Sequence, residues 1–298
     1  RGIEAVAIVS GMSKREVDIL LDNCVYGKIK FLYISPERLS SPLVQERIRH
    51  MNVNLFAIDE AHCISQWGYD FRPPYLQLAE LRELHPKVPV LALTATATQQ
   101  VADDIVSKLV FKKGFQIFRK SFERTNLSYV VAKEENKLKR LLNLLKKVKG
   151  SGIVYVRNRR ETQELARQLV LEGIKADFYH AGLAAEVRSQ KQDDWKANKL
   201  RVIVATNAFG MGIDKPDVRF VAHMDLPESL EAYYQEAGRA GRDEKKSYAV
   251  LLYNDADVKA LERKLAQGSP ILAEIQLVYH QLGNHFQVAY GAGEGLLF

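Results

Sequence analysis

Asp59, Glu60 and His62 stand almost side by side at the end of an apolar run, V-N-L-F-A-I-D-E-A-H, residues 53–62. Two adjacent carboxylates after a buried strand suit phosphoryl transfer. One, Asp59, holds Mg2+, and the other, Glu60, orients the attacking water and takes its proton. An isolated Asp-Glu pair is more often a solvated strand end, but the residues that follow argue otherwise. Cys63-Ile64-Ser65-Gln66 leads into Trp67, Tyr69, Phe71, Arg72 and Tyr75, and aromatics beside an arginine suit stacking on bases. Metalloenzyme chemistry at Asp59, Glu60 and His62 ranks far behind, because no H-E-x-x-H or equivalent ligand spacing is present.

A second group lies further along. After V-I-V-A (202–205) come Thr206, Asn207, Gly210, Gly212 and Asp214. Glycines let the backbone approach a ligand, and Asp214 can accept from a ribose or orient an arginine. In Y-Y-Q-E-A-G-R-A-G-R-D (233–243), Gln235, Arg239 and Arg242 fall at i, i+4 and i+7, which predicts one helix face carrying all three. Arginines so placed suit a γ-phosphate. A plain charged helix would not need Gly238 and Gly241, which cost helix stability. Thr94 and Thr96, in L-A-L-T-A-T-A-T (91–98), can bond the catalytic acids or the next lobe, or simply cap a helix. Tyr155 and Arg157 end another strand, and Y-H-A-G-L (179–183) ends the one after it.

These residues need strands that end beside one another. Apolar runs at 6–10, 28–35, 53–60 and 88–96 read as strands, with helical periodicity at 14–23, 42–50 and 98–109. The pattern repeats with strands at 151–157, 175–180, 201–206, 219–225 and 247–253, and helices at 161–173, 185–198 and 230–241. Strands alternating with helices predict an α/β fold with parallel sheets covered on both faces. Residues 1–122 form a first lobe and 123–255 a second, with 113–133 crossing between them. Residues 137–150 make an amphipathic basic helix, and 256–298 begin a helical C-terminal element.

Composition narrows the function classes. A length of 298 residues accommodates two domains, and 43 basic against 36 acidic residues give a net charge of +7 that favours a polyanionic partner. Two cysteines, Cys24 and Cys63, point to a reducing compartment and exclude a four-cysteine zinc cluster within the chain. No apolar run reaches membrane-spanning length and no signal pattern opens the sequence, so a cytoplasmic location is expected, nucleoid-associated in a bacterium.

In order along the chain, D-E-A-H-C-I-S-Q-W-G, F-R-P, L-T-A-T-A-T, Y-H-A-G-L, A-F-G-M-G-I-D-K-P and Y-Y-Q-E-A-G-R-A-G-R-D resemble the motifs of the RecQ family of DNA helicases. The similarity runs over residues 28 to 255, and the aromatic loop after DEAH separates this family from the DEAH-box RNA helicases. The resemblance implies two tandem RecA-like lobes and ATP-driven 3′→5′ DNA unwinding in repair and recombination, with ATP and Mg2+ as cofactors. DNA, single-stranded and at duplex junctions, would be the partner. By the same resemblance Asp59, Glu60, His62, Gln235, Arg239 and Arg242 are catalytic, and Thr206, Gly212 and Asp214 contact the nucleotide. Trp67, Tyr69, Phe71 and Arg72 sense DNA, so one short loop links both ligands.

Three departures qualify the resemblance. No G-x-x-x-x-G-K-[ST] phosphate loop occurs, and the sequence opens at Arg1 without a Met, so a fragment with an incomplete first lobe is expected. Alone it would have negligible ATPase, and its first lobe would be less stable than its second. Tyr69 stands where many relatives carry a histidine. Residues 256–298 contain no cysteine, so no zinc is expected there. The alternative function is a nucleic-acid-binding remnant without ATP turnover.

Overall fold

Hydroxyl and amide residues mark where helices begin. Ser13 and Glu16 form a reciprocal capping box at one helix start, and Thr98, Asn136 and Asn158 each accept a backbone N–H at others, satisfying donors that a helix start leaves open. The computed structural model describes residues 2–9, 11–68, 70–210, 213–267 and 272–285. The chain divides into two units, Arg1–Glu123 with Ser229–Gln235, and Arg124–Glu228 with Glu236–Phe298.

In the first unit β1 (Ala5–Ala7), α1 (Lys14–Tyr26), β2 (Phe31–Tyr33), α2 (Pro42–His50), β3 (Phe56–Ile58), α3 (Glu80–Leu84), β4 (Val90–Ala92) and α4 (Gln99–Lys108) follow in order. Val17 and Leu21, Val44 and Ile48, and Val101 and Ile105 recur at helical spacing and enter one core with Ile8, Ile58, Ile64 and Tyr75. All pairing is parallel, β1 with β2 and β3 with β4. The described strands form two separate pairs, not one sheet covered on both faces. Val6, Leu32, Ile58 and Val90 turn inward, whereas their neighbours turn out. Phe31 is 51 % and Tyr33 63 % exposed, so helices cover only one side of these strands among the described residues.

The second unit contains β5 (Leu127–Lys133), α5 (Lys137–Lys147), β6 (Ser151–Tyr155), α6 (Arg159–Leu171), β7 (Ala176–Tyr179), α7 (Ala185–Lys196), β8 (Val202–Ala205), β9 (Val218–His223), β10 (Ser247–Tyr253), α9 (Asp255–Gln267) and α10 (Leu272–His285). Between β9 and β10, α8 (Leu230–Ala237) carries residues of both units. The sheet is six-stranded and wholly parallel, ordered β5-β10-β9-β6-β8-β7. β6 and β8 are buried along their whole lengths, the pattern of strands covered on both faces. Leu141 and Leu145 of α5 and Leu165 and Leu169 of α6 pack on one face. Trp195 of α7 is fully buried and donates its indole N–H to the carbonyl of Gly152 at 3.2 Å.

Two elements differ from the sequence-based expectation. Residues 127–133 belong to the second sheet as β5, paired with β10 along its full length, rather than to the crossing segment. α8 stops at Ala237 instead of continuing to 241, because Gly238 offers no side chain to hold the helix and Gly241 takes φ +64°. No helix among the described residues is long and apolar enough to cross a membrane.

Candidate active site

Parallel pairing of β3 with β4 sets Ile58 opposite Ala92, so the segments leaving the two strands emerge together. Leu93 donates its N–H to Ile58 at 2.8 Å, and Ala61 donates to Leu93 at 2.9 Å. Glu60 takes a left-handed conformation, φ 48° and ψ 42°, a strained choice for a non-glycine residue that concentrates at functional sites. The chain then turns at once into a 3-10 turn, Ala61–Ile64, whose four residues are all buried.

That turn carries His62 inward. Its Nδ1 lies 3.0 Å from the Thr94 hydroxyl and 3.3 Å from Glu60 Oε2. Burial pushes the imidazole below its ordinary value, outweighing the carboxylates of Asp70 and Asp59, so His62 is neutral at pH 7. The Thr94 hydroxyl thus meets the histidine of the DEAH segment rather than its acids. Thr96 is buried and its hydroxyl finds no partner among the described residues. Gln235, grouped with the first unit, donates its amide to Glu60 Oε1 at 3.3 Å.

Asp59 is exposed, and its Oδ1 accepts the N–H of Glu60 at 2.9 Å. An exposed carboxylate with free lone pairs fits Mg2+, which takes one or two protein carboxylates and completes its shell with phosphate and water oxygens. No group of three or more His, Cys, Asp or Glu that would hold a metal by itself occurs among the described residues.

The aromatic segment returns to its starting point. Arg72 donates its N–H to the Cys63 carbonyl at 2.9 Å, and the hydroxyl of Tyr75 donates to the Asp59 carbonyl at 3.3 Å. Within this closed loop the Arg72 guanidinium donates through two nitrogens to one oxygen of Asp70, at 2.7 and 3.0 Å. Burial pushes the Cys63 thiol up to about 11 and the Tyr75 phenol up to about 12, so both remain protonated. Trp67 is 68 % exposed and Phe71 half-buried. Tyr69 lies outside the described residues.

In the second unit the functional candidates gather where parallel strands end, the edge at which α/β sheets bind ligands. The Tyr155 hydroxyl, at the end of β6, donates to the Phe209 carbonyl at 2.6 Å, and its ring stacks on His223 at the end of β9. His223 Nε2 lies 2.8 Å from Glu236 Oε2. Thr206 is buried just after β8, and its carbonyl accepts the N–H of Phe209. Gly212 lies outside the described residues.

Because α8 ends at Ala237, Arg239 and Arg242 do not share a helix face with Gln235. They sit on the turn that follows and have different surroundings. Arg239 is 7 % exposed and donates to the carbonyl of Gly210. A Cβ at Gly210 would lie 2.3 Å from its guanidinium, so this glycine admits the arginine. Arg242 is partly exposed and pairs with Asp214 at 2.9 Å, the arginine-orienting arrangement of the two open to that aspartate.

Two supporting residues lie outside the motifs, and a third, Lys215, lies within A-F-G-M-G-I-D-K-P without a role read from it. Arg124 donates to the carbonyls of Gly238, Ala240 and Gly241, at 3.3, 3.1 and 2.8 Å, and Asn126 donates to Gly241 at 2.7 Å. Together they hold the arginine-bearing turn by its backbone. Their i, i+2 spacing just ahead of β5 was the available signal. Lys215, 4 % exposed, donates to Asn198 at 2.9 Å and to the Lys196 carbonyl at 3.2 Å, and pairs with Asp217. It fastens the end of α7 to the loop that carries Asp214.

Residues 1–105 match the DEAD/DEAH box helicase family and residues 136–244 the helicase conserved C-terminal domain. The ATP-dependent DNA helicase RecQ of Haemophilus influenzae is 40 % identical over 282 residues, covering 94 % of this chain and 45 % of that protein. The Bacillus subtilis RecQ is 44 % identical over 259 residues, covering 86 % of this chain and 44 % of that protein. The chain thus spans about half the length of the curated relatives it matches. Among solved structures, Mycobacterium smegmatis helicase Lhr bound to ssDNA and AMP-PNP superposes with a TM-score of 0.69 at 21 % identity, over 86 % of this chain and 36 % of that one, a likeness of fold. The chain carries two helicase domains in tandem and is about 40 % identical to RecQ helicases over most of its own length.

Proposed function

We propose that this chain forms the ATP-driven motor of a DNA helicase that moves 3′→5′ and serves repair and recombination. One observation carries the reading. The acids after β3 and the aromatic loop are a single hydrogen-bonded segment, closed on itself by Arg72 at Cys63 and Tyr75 at Asp59. A base stacked on Trp67 therefore pulls on the backbone that aims Glu60.

ATP with Mg2+, when bound, supplies a phosphoanhydride to cleave and a cation that neutralises its charge. In this reading Asp59 holds the cation and Glu60 takes the proton of the attacking water. Gln235 and neutral His62 fix the two oxygens of Glu60, and Thr94 fixes the histidine. Arg239 and Arg242 stabilise charge on the transferred group, with Asp214 orienting Arg242, while Thr206 and Gly212 line the nucleotide. Trp67, Tyr69, Phe71 and Arg72 stack on single-stranded DNA, and duplex junctions are the substrate class. The location that fits this work is the cytoplasm, and the nucleoid in a bacterium.

The second reading, a nucleic-acid-binding remnant without turnover, is favoured by one fact. Residues 1–298 contain no G-x-x-x-x-G-K-[ST], the loop whose backbone N–H groups cradle the phosphates. DNA-stimulated ATPase of residues 1–298, measured beside the full-length gene product, separates the two. We expect negligible turnover with weak DNA binding from the former, and DNA-stimulated turnover with unwinding from the latter. A full-length product that binds DNA without turning over ATP establishes the second reading.

A further inference from the structure

Ser65 joins the Ala61–Ile64 turn to Trp67 and is completely buried. Its hydroxyl donates to Asp104 Oδ2 at 2.7 Å and accepts the N–H of Trp67 at 3.2 Å. Its carbonyl accepts the N–H of Gly68 at 3.0 Å. A Cβ on Gly68 would stand 2.5 Å from the His62 carbonyl, so the loop packs directly on the turn that bears the histidine.

Asp104 is on α4, whose first cap, Thr98, belongs to the same T-A-T-A-T segment that places Thr94 on His62. Lys108, one turn along, bridges Asp104 at 3.2 Å and the Ile64 carbonyl at 3.2 Å. The Ser65 hydroxyl, followed by Lys108, holds the Asp104 carboxyl below the usual carboxylate range, against the pull of burial. An i, i+4 Asp-Lys pair on a helix is ordinarily a solvated ornament. A short bond from a fully buried hydroxyl that also holds the next loop amide is not.

We propose that Asp104 is a positioning residue for the aromatic loop. Through Ser65 it holds the backbone of Trp67, so that the loop and the Glu60–His62 turn are braced by one helix and move together. This rests on the helicase reading of the same site. Asp104 touches neither nucleotide nor nucleic acid in this role, and it acts only through the loop.

The test has one arm that needs no ligand. Hydrogen exchange across residues 64–68 is compared in residues 1–298 with Asp104→Ala, Asp104→Asn and Ser65→Ala. Loss of a hydrogen bond to a charged group should speed exchange of the Trp67 and Gly68 amides about tenfold in Asp104→Ala. Exchange in α1 and the second unit should stay unchanged, with Asp104→Asn intermediate because it still accepts. Ser65→Ala breaks the same bond from the loop side and also removes the acceptor of the Trp67 N–H, so it should speed exchange at least as much as Asp104→Ala. Unchanged loop exchange, or a variant that unfolds the whole unit, overturns the proposal. The second arm measures ATPase with and without single-stranded DNA in the full-length product. The ratio of DNA-stimulated to basal turnover should fall about tenfold in Asp104→Ala with KM for ATP unmoved. A loosened loop with that ratio intact overturns the coupling role. An unsubstituted protein whose ATPase does not respond to DNA sinks the helicase reading instead, and the exchange arm still decides whether Asp104 holds the loop.

Discussion

His62 and Thr94, thirty-two residues apart in sequence, meet at 3.0 Å because two parallel strands deliver them to the same place. Thr94 orients a neutral imidazole whose Nδ1 also lies near Glu60. Removing either partner should release the other. His62→Ala and Thr94→Ala should each lower maximal ATPase in the full-length product, and the double variant should cost little more than either alone. Additive losses would show that the pair does not act as a unit.

Burial of His62 has a signature in acid. Its folded-state value lies below the ordinary 6.5, so the unfolded chain takes up the proton first as the pH falls. Stability contributed by the neutral ring is present above that value. It is lost as pH drops toward the lowered folded value, by up to about 1.4 kcal/mol per pH unit. The stability advantage of the unsubstituted protein over His62→Asn should therefore narrow between pH 7 and pH 5. Denaturant titrations at both pH values measure it, and a gap that widens in acid would contradict the assignment.

Arg239 and Arg242 should separate in their effects on stability. Arg239 is buried on the Gly210 carbonyl, whereas Arg242 makes an exposed pair with Asp214. Exposed pairs contribute ~1 kcal/mol or less, so Arg242→Ala should melt near the parent yet lower the maximal ATPase rate more than it weakens nucleotide binding. Arg239→Ala should destabilise the second unit by about 2 kcal/mol as well, since it strands a buried acceptor. Melting curves beside kcat and KM distinguish the two, and equal destabilisation would refute the difference in burial.

Trp67 offers its ring to solvent, so Trp67→Ala should leave folding almost unchanged. Loss of one stacked base is worth ~1–3 kcal/mol, about 5- to 150-fold in affinity for single-stranded DNA. Fluorescence anisotropy with a labelled oligonucleotide reads it directly. Unaltered affinity and unaltered stimulation of ATPase would remove Trp67 from the DNA-contacting set.

Gly152 of β6 lies under the ring of Phe220, and a Cβ there would stand 2.1 Å from it. In a closely packed interior the ring has nowhere to go, so Gly152→Ala should cost ~1–3 kcal/mol or more. A Gly152→Ala and Phe220→Leu double variant should recover part of the loss. Thermal melting of both variants beside the unsubstituted protein checks the prediction.

Residues 256–298 should bind no zinc, because they contain no cysteine and His280 and His285 alone cannot complete a tetrahedral site. Metal analysis after dialysis decides it, with stoichiometric zinc the contrary result.

Much of this protein was legible in one dimension because the signals are local. Alternating apolar runs and helical stripes determined an α/β chain with parallel strands, and β6 and β8 are buried throughout as their unbroken apolar runs required. Thr98 announced the start of α4 through its own hydroxyl. The D-E-A-H segment and its aromatic sequel suggested the phosphoryl transfer and base stacking proposed above, since residue types alone carry that signal. What local signals do not contain is distance between segments. Helical spacing set Gln235, Arg239 and Arg242 on one face, yet Gly238 ends the helix and Arg239 turns into its own unit against Gly210. Arg124 and Asn126 hold that turn from more than a hundred residues away, and Asp104 reaches Ser65 across thirty-nine. Residues 127–133 became a strand of the second sheet because β10 was there to pair with them. Such contacts depend on where two strands end relative to each other, which strand register and core packing decide together.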